Sequence, residues 1–260
     1  IACRAQNTAQ TGISVGASCT LIGCGAISGS SDGILLTNYC VLRDCSSTVN
    51  QGGGFNGDSF VGFNGCTYTN CTAGKITGTG FTVGAGSTLT GCSATDSTGS
   101  GSGGFVGGAG CTFRNCTAGT NTGSGFIADS GSTVADCTTG SNSLDGIRIN
   151  PGIGSTVRNC TARANLGYGI FVNGGCHVMG NTCDGNLTGI NMGTGAAGGE
   201  ANRVDGNSCT SNQNYGFLTG NTGFNSLFIR NSARGNAFGN YQIGSNNAAG
   251  PIVNMSAGGT

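Results

Sequence analysis

The chain has 260 residues and a mass of 25.4 kDa, with ten basic against ten acidic side chains and only 8% of its residues charged. Zero net charge leaves no basic stripe to displace the counterions of a nucleic acid, and no apolar run approaches the roughly 20 residues of a membrane-spanning helix. Fifty-four glycines with only two prolines and no Gly-X-Y period exclude a collagen.

From the N-terminus onward, a large apolar residue, usually after glycine, recurs at Ile13, Ile34, Phe60, Phe81, Phe105, Phe126, Ile147, Ile170, Ile190, Phe217 and Tyr241. The intervals run from 20 to 27 residues. A second column runs from Cys3 and Cys24 to Cys160 and continues as Asn181, Asn207 and Asn231, with a small residue such as Ala5, Ala26 or Ala162 two positions later. A third column, from Cys19 and Cys40 to Ser226, lies five residues before the second. Near-copies at this spacing predict a solenoid. Within a unit the period is two, as in Gly169-Ile170-Phe171-Val172, Ser155-Thr156-Val157-Arg158 and Cys160-Thr161-Ala162. Gly, Asn or Asp stands where the phase changes, the residue types that tolerate a left-handed corner. Three short strands and three turns per unit predict an all-β fold, a parallel β-helix of about eleven coils and roughly 50 Å, as a single domain over residues 1–260. Its core pairs large with small, as in Phe60/Gly62, Phe105/Gly107 and Phe126/Ala128.

The run Asn159-Cys160-Thr161-Ala162-Arg163-Ala164-Asn165-Leu166-Gly167-Tyr168-Gly169-Ile170 resembles the right-handed parallel β-helix repeats of the pectate-lyase-like superfamily. The closing stretches Ile229–Asn236, Asn240-Tyr241 and Gly250-Pro251-Ile252-Val253 resemble a group of secreted bacterial β-helix proteins whose activity is unassigned. The resemblance implies a right-handed coil and specifies a fold, not a reaction.

Fifteen cysteines read as either of two arrangements. Disulfides within a rung would join the C-x4-C pairs Cys19/Cys24, Cys40/Cys45, Cys66/Cys71 and Cys111/Cys116. Alternatively, stacked thiols fill ladder positions as small hydrophobes. The C-x2-C spacing of a zinc site is absent, and neither metal nor cofactor is expected. The nine Asp and one Glu are scattered, so a calcium-dependent lyase lacks a visible ligand set. Asp32 and Asp145 fall in a turn column that the repeat itself explains, and the least regular carboxylates are Asp184 and Asp205. His177 occupies an outward position that other rungs fill with threonine.

One outward stripe is apolar: Leu35, Val61, Val106, Ile127, Phe171 and Leu218, broken by Ser14, Thr82, Arg148, Asn191 and Gln242. A stripe of this kind reads as a lateral contact surface. A second stripe carries threonines, including Thr67/Thr69 and Thr88/Thr90, which β-propensity explains. At the ends, Cys3 and Ala5 already sit in the repeat's columns, and Ile252, Val253 and Met255 still read as strand. These end contacts predict head-to-tail self-association into an extracellular filament. The expected function is therefore a secreted structural or adhesive solenoid rather than an enzyme, with itself and polysaccharide as partners and no nucleic acid or membrane span. The alternatives are a polysaccharide lyase or glycoside hydrolase acting on uronate glycans, and an ice-binding or glycan-binding module.

Overall fold

A computed structural model describes residues 3–49, 60–99, 103–149, 153–193, 201–220, 225–250 and 253–255. Among these every regular element is a strand, and the strands form three parallel sheets of 11, 11 and 12 members. Sheet 1 runs from Ile13–Val15 to Gly239–Gln242, sheet 2 from Thr20–Ile22 to Ala248–Ala249, and sheet 3 from Arg4–Gln6 to Val253–Met255. Each strand pairs only with its counterparts one coil before and one coil after. Local alternation thus decides which side chains point inward, and parallel in-register pairing stacks like on like.

The predicted columns are the observed registers. In sheet 1, Phe60, Phe81, Phe105, Phe126 and Ile147 stand opposite one another in turn. In sheet 3, Ala73, Ala94, Ala118, Thr139 and Ala162 do the same. The rings of Phe60, Phe81, Phe105 and Phe126 form one face-to-face pile, with centroids 4.6, 4.8 and 4.7 Å apart and planes within 6° of parallel. All four are fully buried, each worth about 2–3 kcal/mol in area removed from water. The large-small pairing has a cross-core cause. A Cβ on Gly62 would lie 2.0 Å from the Tyr68 hydroxyl, and one on Gly107 would lie 2.7 Å from the tip of Phe113, so glycine clears space for the rings of sheet 2. Tyr68 Oη is left without a hydrogen-bond partner among the described residues, and burial pushes its pKa well up.

At the corner between sheets 2 and 3 the backbone is left-handed in rung after rung, with φ of 51° at Asn70, 52° at Asn115 and 54° at Asn159. Gly23, Gly91, Gly180 and Gly206 take the same conformation with no Cβ to strain it. Arg230 also occupies this corner at φ 54°, where a long side chain is unfavoured. Inside the corner runs the second column. Cys45, Cys116 and Cys160 set Sγ 3.7, 3.6 and 3.5 Å from the carbonyls of Leu21, Leu89 and Val134 one rung back, and nearer, at 3.3, 3.3 and 3.2 Å, to those of Arg43, Arg114 and Arg158 in their own rung. Asn181, Asn207 and Asn231 aim their Nδ2 at the carbonyls of Val157, Val178 and Val204 one rung back, at 3.0, 2.9 and 2.8 Å. A further ladder at the corner between sheets 3 and 1, of Asn121, Asn142, Asn165, Asn186, Asn212 and Asn236, has no counterpart in the sequence reading.

At the ends, Arg4–Gln6 and Val253–Met255 are the outer strands of sheet 3, with Cys3 exposed and Ala5 half-buried. Ile252 and the side chains of Val253 and Met255 lie outside the described residues.

Candidate functional site

The outward face of sheet 1 brings together the predicted apolar stripe. Leu35 stands in register with Val61, Val106 with Ile127, and Asn191 with both Phe171 and Leu218. All six apolar members are half-buried, because strands about 4.8 Å apart cover one another's flanks. Thr82 and Arg148 take their places in the same column.

The interruption at Arg148 is where chemistry gathers. Arg148 Nε donates to Asp145 Oδ2 at 2.8 Å, and its guanidinium carbon lies 4.5 Å from the centre of the Phe171 ring, one rung on. The Tyr168 ring packs on Phe171 at 5.7 Å and 20°. Asp145 is buried and its Oδ1 accepts the Tyr168 backbone N–H at 2.8 Å, so one carboxylate fixes both the cation and the aromatic pair. Two glycines make room. A Cβ on Gly167 would lie 2.5 Å from Asp145 Oδ1, and one on Gly193 would lie 2.7 Å from the edge of Phe171. Arg148 engages Asp145 through Nε, and among the described residues its terminal amino groups take no side-chain hydrogen bond.

A second aromatic pair follows on the same side. Thr188 is in register with Tyr168, and Tyr215 begins the next strand of sheet 1. Tyr215 and Phe238 lie 6.2 Å apart, with Phe238 74% exposed. Tyr168 and Tyr215 are thus two rungs apart, about 9.6 Å along the helix axis. Aromatic faces beside a fixed guanidinium suit stacking and hydrogen bonding to a flat, hydroxylated or anionic ligand.

Asp205 and Asp184 each have their own partners. Asp205 receives Arg203 at 3.0 Å and Arg230 at 2.5 Å, and the Arg230 hydrogen bond, opposed by burial, keeps its carboxyl below the usual range. That pairing accounts for an arginine at the strained corner. Asp184 accepts Thr210 Oγ1 at 2.8 Å and faces Arg163 at 3.3 Å. Asp184 and Asp205 lie on sheets 3 and 2 and have separate partners. His177 is exposed on sheet 2, in register with Thr156 and Arg203. Among the described residues no group of three His, Cys, Asp or Glu could hold a metal ion.

The C-x4-C pairs Cys19/Cys24, Cys40/Cys45, Cys66/Cys71 and Cys111/Cys116 flank the strands of sheet 2, and all fifteen cysteines are present as thiols. Burial pushes the Cys66 and Cys111 thiols up and takes Cys176 to about 12.

Comparison with known proteins defines the class. The right-handed β-helix region family matches residues 55–199, more than half of the chain, and this protein belongs to that family. The sequence matches none of the curated proteins. Among solved structures it is similar to the A-module of mannuronan C-5 epimerase AlgE6 from Azotobacter vinelandii, at 16% identity and a TM-score of 0.64, over 92% of this chain and 75% of that one. The AlgE4 A-module of the same organism aligns at 15% identity and a TM-score of 0.57, over 92% and 84% of the two chains. Pectate lyase Pel9A aligns at 14% identity and a TM-score of 0.51, over 75% and 59%. At such identities the likeness is one of fold.

Proposed function

We propose that this β-helix is an adhesive scaffold that holds an extended, uronate-bearing polysaccharide along the outer face of sheet 1. The observation that carries the reading is the pair of aromatic platforms, Tyr168/Phe171 and Tyr215/Phe238, two rungs apart and flanked by Arg148. Two rungs, about 9.6 Å, are close to the length of two 1,4-linked pyranose residues in an extended chain, so every second sugar meets a platform. Arg148 supplies a cation for a carboxylate, and the half-buried stripe on either side offers a dry, linear track. The three neighbours named above have mannuronan or pectate in their names, which agrees with the choice of glycan, although the aromatic pairs bear the argument. Calorimetric titration with polyuronate and neutral oligosaccharides tests it. The expected result is binding of the polyuronate, weakened at least about fivefold in a Tyr168→Ala/Tyr215→Ala double variant that keeps its circular dichroism spectrum, since each stacked ring contributes about 0.5–1.5 kcal/mol. No binding, or binding unchanged in the double variant, overturns it. Turnover of the oligomer would reassign the face to an enzyme.

A further inference from the structure

The interior holds a feature that glycan binding does not use: cysteine stacks on cysteine along the axis of the helix. The registers of sheet 3 set Ser46, Thr72, Ser93, Thr117, Thr138 and Thr161 side by side, so the residues that precede them, Cys45, Cys71, Cys92, Cys116, Cys137 and Cys160, form one continuous column. In the neighbouring column Val41 is in register with Thr67, which sets Cys40 beside Cys66. Inside sheet 3, Cys183 and Cys209 are direct register partners. All ten are buried. The vertical spacing is that of adjacent strands, about 4.8 Å, and lies inside the Cα separation of about 4.4–6.8 Å that a disulfide spans. The sequence pattern suggested bridges around a corner, between residues five apart in one rung. In the structure the strand registers set each cysteine of the second column beside its counterpart one rung away.

We infer that these cysteines are sites of oxidation between rungs, giving the staples Cys40–Cys66, Cys45–Cys71, Cys92–Cys116, Cys137–Cys160 and Cys183–Cys209. The oxidant is a small-molecule disulfide acting by exchange. One cysteine thiolate attacks it and releases one small thiol. The partner cysteine then attacks the mixed disulfide and releases the second. Two protein thiols and one small disulfide thus become one protein disulfide and two small thiols, with electrons and protons in balance. A close-packed interior has no space for the mixed disulfide, so exchange takes place while a rung is still open during folding. Ten bridged cysteines of fifteen leave five thiols, in keeping with the odd total. Each bridge closes a loop one rung long, from 23 residues for Cys137–Cys160 to 26 for Cys45–Cys71.

The test is to refold the full chain in a buffer of oxidised and reduced glutathione, block remaining thiols by alkylation, digest with pepsin and map linked peptides by mass spectrometry. The expected map is dominated by links one rung apart, and the oxidised chain unfolds at higher denaturant than the chain treated with reductant. A map dominated by links within a rung, such as Cys19–Cys24 or Cys66–Cys71, overturns the inference, as does alkylation of all fifteen thiols. The wild-type chain serves throughout, so no variant need fold.

Discussion

The second column is built of cysteine as far as Cys160 and of asparagine from Asn181 onward, on the same backbone at the same corner. Both residue types reach back to the carbonyl of the previous rung, but they do so with different strength. Cys116 and Cys160 place sulfur 3.6 and 3.5 Å from those carbonyls and closer, at 3.3 and 3.2 Å, to Arg114 and Arg158 of their own rung, whereas Asn181 and Asn207 donate to the previous rung at 3.0 and 2.9 Å. Asparagine also accepts through Oδ1, taking the backbone N–H and the Nδ2 of the rung before, so each amide polarises the next. Cysteine offers a weak donor, a weak acceptor and apolar volume. One end of the rod is therefore tied by an amide chain and the other by packing of soft, ionisable groups.

Alkali is expected to have the largest effect, and on both regions. Burial raises Cys66, Cys111 and Cys176, the last to about 12 from an ordinary 9.0, so the folded state holds protons that the unfolded state releases. The stability so contributed is complete below about pH 9 and is lost as pH rises toward about 12. Circular dichroism should show the whole rod losing structure over that interval, because Cys176 and Cys209 carry raised thiols into the asparagine rungs as well. A spectrum unchanged from pH 9 to pH 12 would overturn the expectation.

Single substitutions sharpen the comparison. Asn207→Ala strands the N–H and Nδ2 of Asn181 and the carbonyl of Val178, and should cost about 3 kcal/mol in denaturant unfolding. Cys116→Ala removes one sulfur from a stack and should cost about 1 kcal/mol. Equal losses would mean that the columns differ in composition only. The smallest effect runs the other way. Tyr68→Phe deletes a buried hydroxyl that has no partner among the described residues, and should raise the unfolding midpoint by the equivalent of about 1 kcal/mol.

The columns were legible because a coil of three short strands leaves one repeating pattern in the chain, and Phe81, Leu89 and Ala94 could each be placed by counting. The second asparagine ladder was equally countable. Asn121, Asn142, Asn165, Asn186, Asn212 and Asn236 each follow the Cys/Asn column by five residues, but asparagine in a glycine-rich turn reads as turn chemistry, which concealed a buried ladder. The aromatic and arginine cluster was harder to see. Asp145 looked like a repeat position and Arg148 like a flaw in a stripe, because their partners Tyr168 and Phe171 lie a whole rung away and the contacts cross columns. Arg230 at a corner suited to glycine makes sense only once Asp205 is seen beneath it.

The strict like-on-like register means that a coil is an exchangeable unit of inheritance. Excising residues 105–125 brings Phe126 onto Phe81, Val134 onto Leu89 and Cys137 onto Cys92, pairs of the kind already stacked elsewhere in the rod. Duplicating the same segment repeats a contact the molecule already makes. Copy number, and with it the reach of the rod, can therefore drift by unequal crossing-over between repeats without any new packing problem having to be solved.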